Sequence, residues 1–224
     1  DIAHLSPEDC AKNMIAFGGI GSGKTTRFIN PVLMQIMRQN TGALIFDIKT
    51  DFQREVEAIT KHAGRDYKIV GDGGMTLNLL RGTTPELAAS FLKSCFLSQG
   101  VGDSALWADL ATEHCRNCLT LIQLTGEDYS IAKLYDLAVD DNAQNKLIAA
   151  LAAIQNELSD RDQRLMMATV KYFQSWGKYD EKRKSSILLN INSVLSPFAH
   201  PDLIDAFSAK GTNGEADLTS LIND

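Results

Sequence analysis

Two rhythms of apolar and polar residues divide this chain. Over residues 1–83, short unbroken apolar runs alternate with amphipathic stretches. The runs are Met14–Phe17, Ala43–Phe46 and Tyr67–Val70, and each predicts a short buried strand. Between them, Thr26–Met37 and Phe52–His62 carry helical spacing, with Gly42 and Gly64 at the junctions. Strands alternating with helices predict a parallel sheet covered by helices.

From Thr84 the rhythm becomes helical throughout. Thr84-Pro85-Glu86 is a helix start, a capping residue followed by proline at the first helical position, and the helix should run to Leu97. After a break at 100–103, Ser104 is placed to cap a long helix to Leu124. Further helices are expected from Ser130 to Ala138, from Asn142 to Leu158, from Ser159 to Trp176, from Asp180 to Leu195, where Pro197 stops the chain, and from Pro201 to Phe207. Within the second of these, Leu147, Ile148, Leu151, Ile154 and Leu158 share one face. Residues 84–207 therefore predict an all-α domain inserted into the first. The tail carries the turn chemistry Gly211-Thr212-Asn213-Gly214, and Ala216-Asp217-Leu218 is placed to return toward the sheet. The expected fold is an α/β phosphate-loop NTPase of RecA-like type, its parallel sheet incomplete. Residues 1–83 and 208–224 form its nucleotide-binding part.

The sharpest chemical signal is Gly18-Gly19-Ile20-Gly21-Ser22-Gly23-Lys24-Thr25, which fits the phosphate-loop pattern G-x-x-x-x-G-K-[ST]. It stands after a predicted strand and before a predicted helix, as the motif requires. Glycines let the backbone curl so that its N–H groups converge on a polyphosphate, and the following helix adds unpaired N–H groups. Gly19, Gly21, Ser22, Gly23, Lys24, Thr25 and Thr26 are the expected nucleotide contacts. Lys24 has the catalytic part, holding the β and γ phosphates and stabilising charge in the transition state. Thr25 offers a hydroxyl to Mg²⁺. ATP and Mg²⁺ are the expected cofactors. Pro31, inside the helix that follows, should kink it or end it early.

Composition narrows this only slightly. The chain has 224 residues, is 44% apolar and 22% charged, and carries a net charge of −6. No global field draws it toward nucleic acid, so contact with DNA would need a local basic patch. The four cysteines, Cys10, Cys95, Cys115 and Cys118, fit a reduced compartment. No apolar run reaches membrane-spanning length and no signal peptide stands at the start. The first residue is Asp1 rather than methionine, which reads as a piece excised from something longer.

Several other constellations have a functional and a plain reading. Asp47 ends an apolar run, where it would either sit near the metal or cap the helix that follows. No later apolar run ends in Asp-Glu, so the residue that orients the attacking water is missing. The chain alone should hydrolyse ATP poorly. His114-Cys115-Arg116-Asn117-Cys118 lacks the second ligand pair of a structural zinc site, so two buried thiols on one helix face, without zinc, is the better reading. His4, His62 and His200 are scattered. Lys182-Arg183-Lys184 is a solvated basic run or a contact for phosphates, while Tyr172, Phe173, Trp176 and Tyr179 upstream read as packing.

The order of motifs resembles the type IV secretion and conjugation coupling proteins, the TraG/TraD-like DNA-transfer ATPases related to the FtsK/HerA motors. In that family a strand after the phosphate loop ends in D-P-K-G-E, and here Asp47-Ile48-Lys49-Thr50-Asp51 stands in its place. Asn78-Leu79-Leu80 replaces the family's N-P-L. Trp107 and Ala111 match the start of its long helix. Lys184-Ser185-Ser186-Ile187, then Leu195-Ser196-Pro197-Phe198 and Pro201, match the end of its helical insert.

The resemblance implies that Asp47, Lys49 and Asp51 lie beside the nucleotide. It also implies membrane helices upstream and Walker B acids downstream, both outside this chain. The parent would be a hexameric ring on the cytoplasmic face of a bacterial inner membrane. There it would move single-stranded DNA–protein or protein substrates toward secretion-channel components. Two alternatives stand beside it: a small-molecule kinase with the helical block as lid and Asp47 as base, and a non-enzymatic helical docking module.

Overall fold

A computed structural model of the chain describes residues 14–39, 41–47, 51–71, 74–98, 105–207 and 215–216, with the isolated positions 6 and 8. The chain separates into two compact units, residues 1–68 and 69–224.

The first unit is built on two helices. A π-helical turn, Thr25–Ile29, leads directly into α1, Asn30–Arg38. Pro31 explains this form. In a regular α-helix its ring would press on the carbonyl of Arg27 and would offer that carbonyl no N–H. The preceding turn opens instead to π spacing, with the Asn30 N–H bonded to Thr25 O, and the helix continues. The second helix, α2, is Gln53–Ala63. It closes at Gly64, in the left-handed region at φ 65°. The Arg65 N–H then reaches back to Thr60 O at 2.9 Å. Leu33 and Met37 of α1 meet Ile59 of α2 to form a small core, with Met34, Ile36, Phe52, Val56 and Ala63 packed around it.

The expected α/β parallel sheet of RecA-like type is not present among the described residues, and the chain is mostly α-helical. Met14–Phe17 and Ala43–Phe46 follow no strand ladder. Phe17 and Phe46 are 90% and 83% exposed. Tyr67–Val70 contributes only an isolated bridge from Val70 to Met75. The one ladder is parallel, pairing β1 (Thr76–Leu77) with β2 (Glu215–Ala216) in the second unit. The physical reason is that a strand exists only through its neighbour's hydrogen bonds. A short apolar run records a tendency to be buried and says nothing about a partner.

The second unit is helical, as its periodicity predicts. After β1 come α3 (Pro85–Ser98), α4 (Ala105–Thr125), α5 (Ile131–Val139), α6 (Asp141–Ala153), α7 (Asp160–Trp176), α8 (Glu181–Leu195) and α9 (Pro201–Phe207). Ser130, Ser159 and Asp180 each cap their helix through the side-chain oxygen. α6 is shorter than its apolar face suggests. It ends at Ala153 and gives way to a 3₁₀ turn, Gln155–Glu157, before the extended Leu158 and Ser159. The predicted break at 100–103 and the cap at Ser104 lie outside the described residues, as does the tail beyond Ala216.

The centre of this unit is α4. Ala108, Ala111, His114, Cys115, Cys118, Leu119, Leu121 and Ile122 are all buried, so apolar surface covers most of its circumference. α3, α5, α6, α7 and α8 all pack against it. Only one strongly polar side chain, His114, stands completely buried on it, and both ring nitrogens are matched. Nε2 donates to Ala138 O at 3.0 Å, at the end of α5. Nδ1 accepts from the Tyr172 hydroxyl of α7 at 3.0 Å. The imidazole also stacks on Trp176, with centroids 4.0 Å apart. The indole N–H in turn donates to Asp141 Oδ1 at 2.9 Å, and Lys184 of α8 donates to Asp141 Oδ2 at 2.7 Å. Gln144 of α6 donates to Leu137 O at 2.9 Å. One connected set of hydrogen bonds thus ties α4, α5, α6, α7 and α8 together.

Burial holds the His114 pKa down at about 4, outweighing the carbonyl of Ala138 and the carboxylate of Asp141, which favour the cation. The folded protein keeps this imidazole neutral, whereas the unfolded chain protonates it near pH 6.5. Stability is therefore full above pH 6.5 and falls as the pH drops toward 4, by on the order of 3 kcal/mol. Both tryptophans, Trp107 and Trp176, belong to the second unit, so indole fluorescence reads its unfolding. Urea midpoints measured by fluorescence should fall over that interval in the unaltered chain and fall less in His114→Gln. Equal slopes in the two proteins would show that the imidazole is not held neutral.

Candidate functional site

The phosphate-loop residues form one compact curl. Gly21 and Gly23 have φ of 76° and 81°, a region that residues with a Cβ rarely enter. Gly18 packs closely for a different reason: a Cβ there would lie 2.4 Å from Ser22 Oγ and oblige that side chain to turn away. The curl is closed by Ser22 N–H to Gly19 O at 3.3 Å and by Arg27 N–H to Gly23 O at 2.8 Å. The Thr26 hydroxyl donates to Gly23 O at 3.3 Å. The sequence makes this shape locally, since each contact spans six residues or fewer.

Lys24 is half-buried and lies across the curl. Its ammonium donates to Gly18 O at 2.5 Å and to Gly19 O at 2.8 Å. An ammonium has three N–H groups, so one remains for an anion. The arrangement fixes a positive charge over backbone that the glycines have bent into a ring. The Thr25 hydroxyl is exposed at the start of the π turn, the right kind of oxygen for a hard cation that keeps most of its waters. Among the described residues no three acidic, histidine or cysteine side chains gather to hold a metal by themselves. A Mg²⁺ here would be carried largely by phosphate oxygens and water, with Thr25 as its protein ligand.

The segment after the second apolar run is placed differently. Asp47 Oδ2 accepts the Phe52 N–H at 2.9 Å, at the residue immediately before α2, whose N-cap Phe52 has no side-chain cap of its own. Asp51 is exposed just before α2, and Lys49 lies outside the described residues.

The remaining candidates serve the helical core. Cys115 and Cys118 are wholly buried, and burial pushes the Cys115 thiol up to about 12 and the Cys118 thiol well above its ordinary range. The basic run divides by environment. Lys182 and Arg183 face solvent, with the Arg183 guanidinium 3.7 Å over the Tyr179 ring. Lys184 turns inward to Asp141. His62 is exposed on α2, His200 pairs with Asp202 at 3.4 Å, and His4 lies outside the described residues. Asn78 is buried and acts as a staple. Its Oδ1 accepts from the Leu80 N–H at 3.0 Å and its Nδ2 donates to Tyr129 O at 3.0 Å.

The polar network around His114 was not foreseen from the sequence. The available signal was a histidine on the most apolar helix, together with a Trp and a Tyr one turn apart on α7.

Compared with known proteins, the chain matches no family model, and no curated protein or solved structure is significantly similar to it. Among the described residues no helix is long and apolar enough to cross a membrane.

Replacing Asp47 with Ala removes its hydrogen bond from the Phe52 N–H and should loosen the entry to α2 by about 1 kcal/mol. Amide hydrogen exchange should quicken at Phe52. Unchanged protection there would remove this anchoring role.

Proposed function

We propose that the curl from Gly18 to Thr26 binds the polyphosphate of ATP with Mg²⁺, and that the chain is the nucleotide-binding part of an ATP-driven motor. The observation that carries the first half is the placement of Lys24. Its ammonium is fastened over a ring of glycine backbone with one donor still available. In this reading Gly19, Gly21, Ser22, Gly23, Thr25 and Thr26 bring backbone N–H groups and hydroxyls to the phosphates. Mg²⁺, when bound with the nucleotide, screens and polarises the phosphate oxygens. Lys24 compensates negative charge that builds on them.

The second half rests on the ordered resemblance to the coupling proteins. It makes the chain part of a hexameric ring on the cytoplasmic face of a bacterial inner membrane, delivering DNA or protein to a secretion channel. The helical unit has a core of its own, which suits a domain that meets substrates while the loop binds nucleotide.

The test is calorimetric titration of the chain with ATP and Mg²⁺. The unaltered chain should bind and Lys24→Ala should lose at least about tenfold in affinity, the value of a charge-assisted hydrogen bond to phosphate. Turnover by the isolated chain should be slow, since no apolar run after Asp47 ends in the Asp-Glu that would orient water. No heat of binding from the unaltered chain, or equal affinity in the variant, would overturn the reading.

A further inference from the structure

A second cation borders the same curl, and the phosphate-loop pattern does not call for it. Arg27 stands one turn beyond Gly23 on the π turn. Its side chain folds back over that glycine: a Cβ built on Gly23 would lie 3.2 Å from Arg27 Cδ and 3.3 Å from Nε. Lys24 reaches the opposite end of the curl, at Gly18 and Gly19. Among the described residues neither side chain is paired with a carboxylate. Two like charges at the two ends of one loop repel each other, and an anion long enough to reach both relieves that repulsion.

We infer that Arg27 is a specificity-determining contact that makes the curl select polyphosphates over single phosphate groups, Lys24 and Arg27 acting as a two-point ruler. This rests on the nucleotide reading given above. A monophosphate can satisfy one of the two cations, whereas a di- or triphosphate spans both.

Calorimetry of the full chain with Mg²⁺ and ATP, ADP or AMP tests this. Arg27→Gln should lose about tenfold in affinity for ATP and ADP while its affinity for AMP stays that of the unaltered chain. Arg27→Lys, which keeps the charge, should recover most of the loss. The exposed position predicts unchanged amide-exchange protection of α1 and α2 in both variants. Equal ATP affinity in Arg27→Gln and the unaltered chain would overturn the inference and leave nucleotide binding standing. A loss that Arg27→Lys does not repair, or one that extends equally to AMP, would also overturn it. Failure of the unaltered chain to bind any of the three removes the nucleotide reading and this inference together.

Discussion

The helical unit depends on how one imidazole is buried. His114 sits on a helix surrounded by five others, where an unmatched polar atom would cost about 1–3 kcal/mol. Each nitrogen is matched by a different helix, and the flat face is covered by an indole from the same helix that supplies the Tyr172 hydroxyl. These bonds are directional. They admit one rotation of α7 and one register of α5 against α4, while Leu or Ile contacts tolerate several. The indole passes the constraint on to Asp141, whose carboxylate feels burial but is held below its ordinary range by hydrogen bonds from Lys184 and Trp176. A core of aliphatic residues would hold these helices together, and the polar chain through it selects how they sit.

The glycine curl around Lys24 obeys a different economy of distance. Every contact that shapes it comes from residues close by in the chain, and two of its glycines take backbone angles that other residues avoid. Such a motif carries its geometry with it. This is why the curl forms although the expected sheet is missing among the described residues. The two apolar runs of the first unit, Met14–Phe17 and Ala43–Phe46, lie exposed on either side of the α1 sequence. Their hydrophobic character is plain, and no ladder uses it.

Local chemistry was legible in the chain residue by residue. Ser130, Ser159 and Asp180 announce helix starts because a short oxygen-bearing side chain can answer an orphan N–H. Pro31 announces a distortion, and its form as a π turn follows from the one carbonyl that proline cannot serve. The run Lys182-Arg183-Lys184 shows where this reasoning stops. Adjacent residues with the same charge look alike in a sequence, yet on a helix they point about 100° apart. Lys184 therefore meets Asp141 while Arg183 lies over Tyr179 at the surface. Asp47 was open between two roles for the same reason, since both follow from its place at the end of an apolar run.

The sequence by itself determined most of the helices within 84–207, the caps at Ser130, Ser159 and Asp180, and the curl around Lys24, because each arises from groups separated by a few bonds or one helical turn. The tertiary structure alone decided whether the apolar runs became a sheet, where the carboxylate of Asp47 went, and that His114 became the hub of five helices. Those outcomes depend on which distant groups come within hydrogen-bonding reach, and no spacing along a chain encodes that distance.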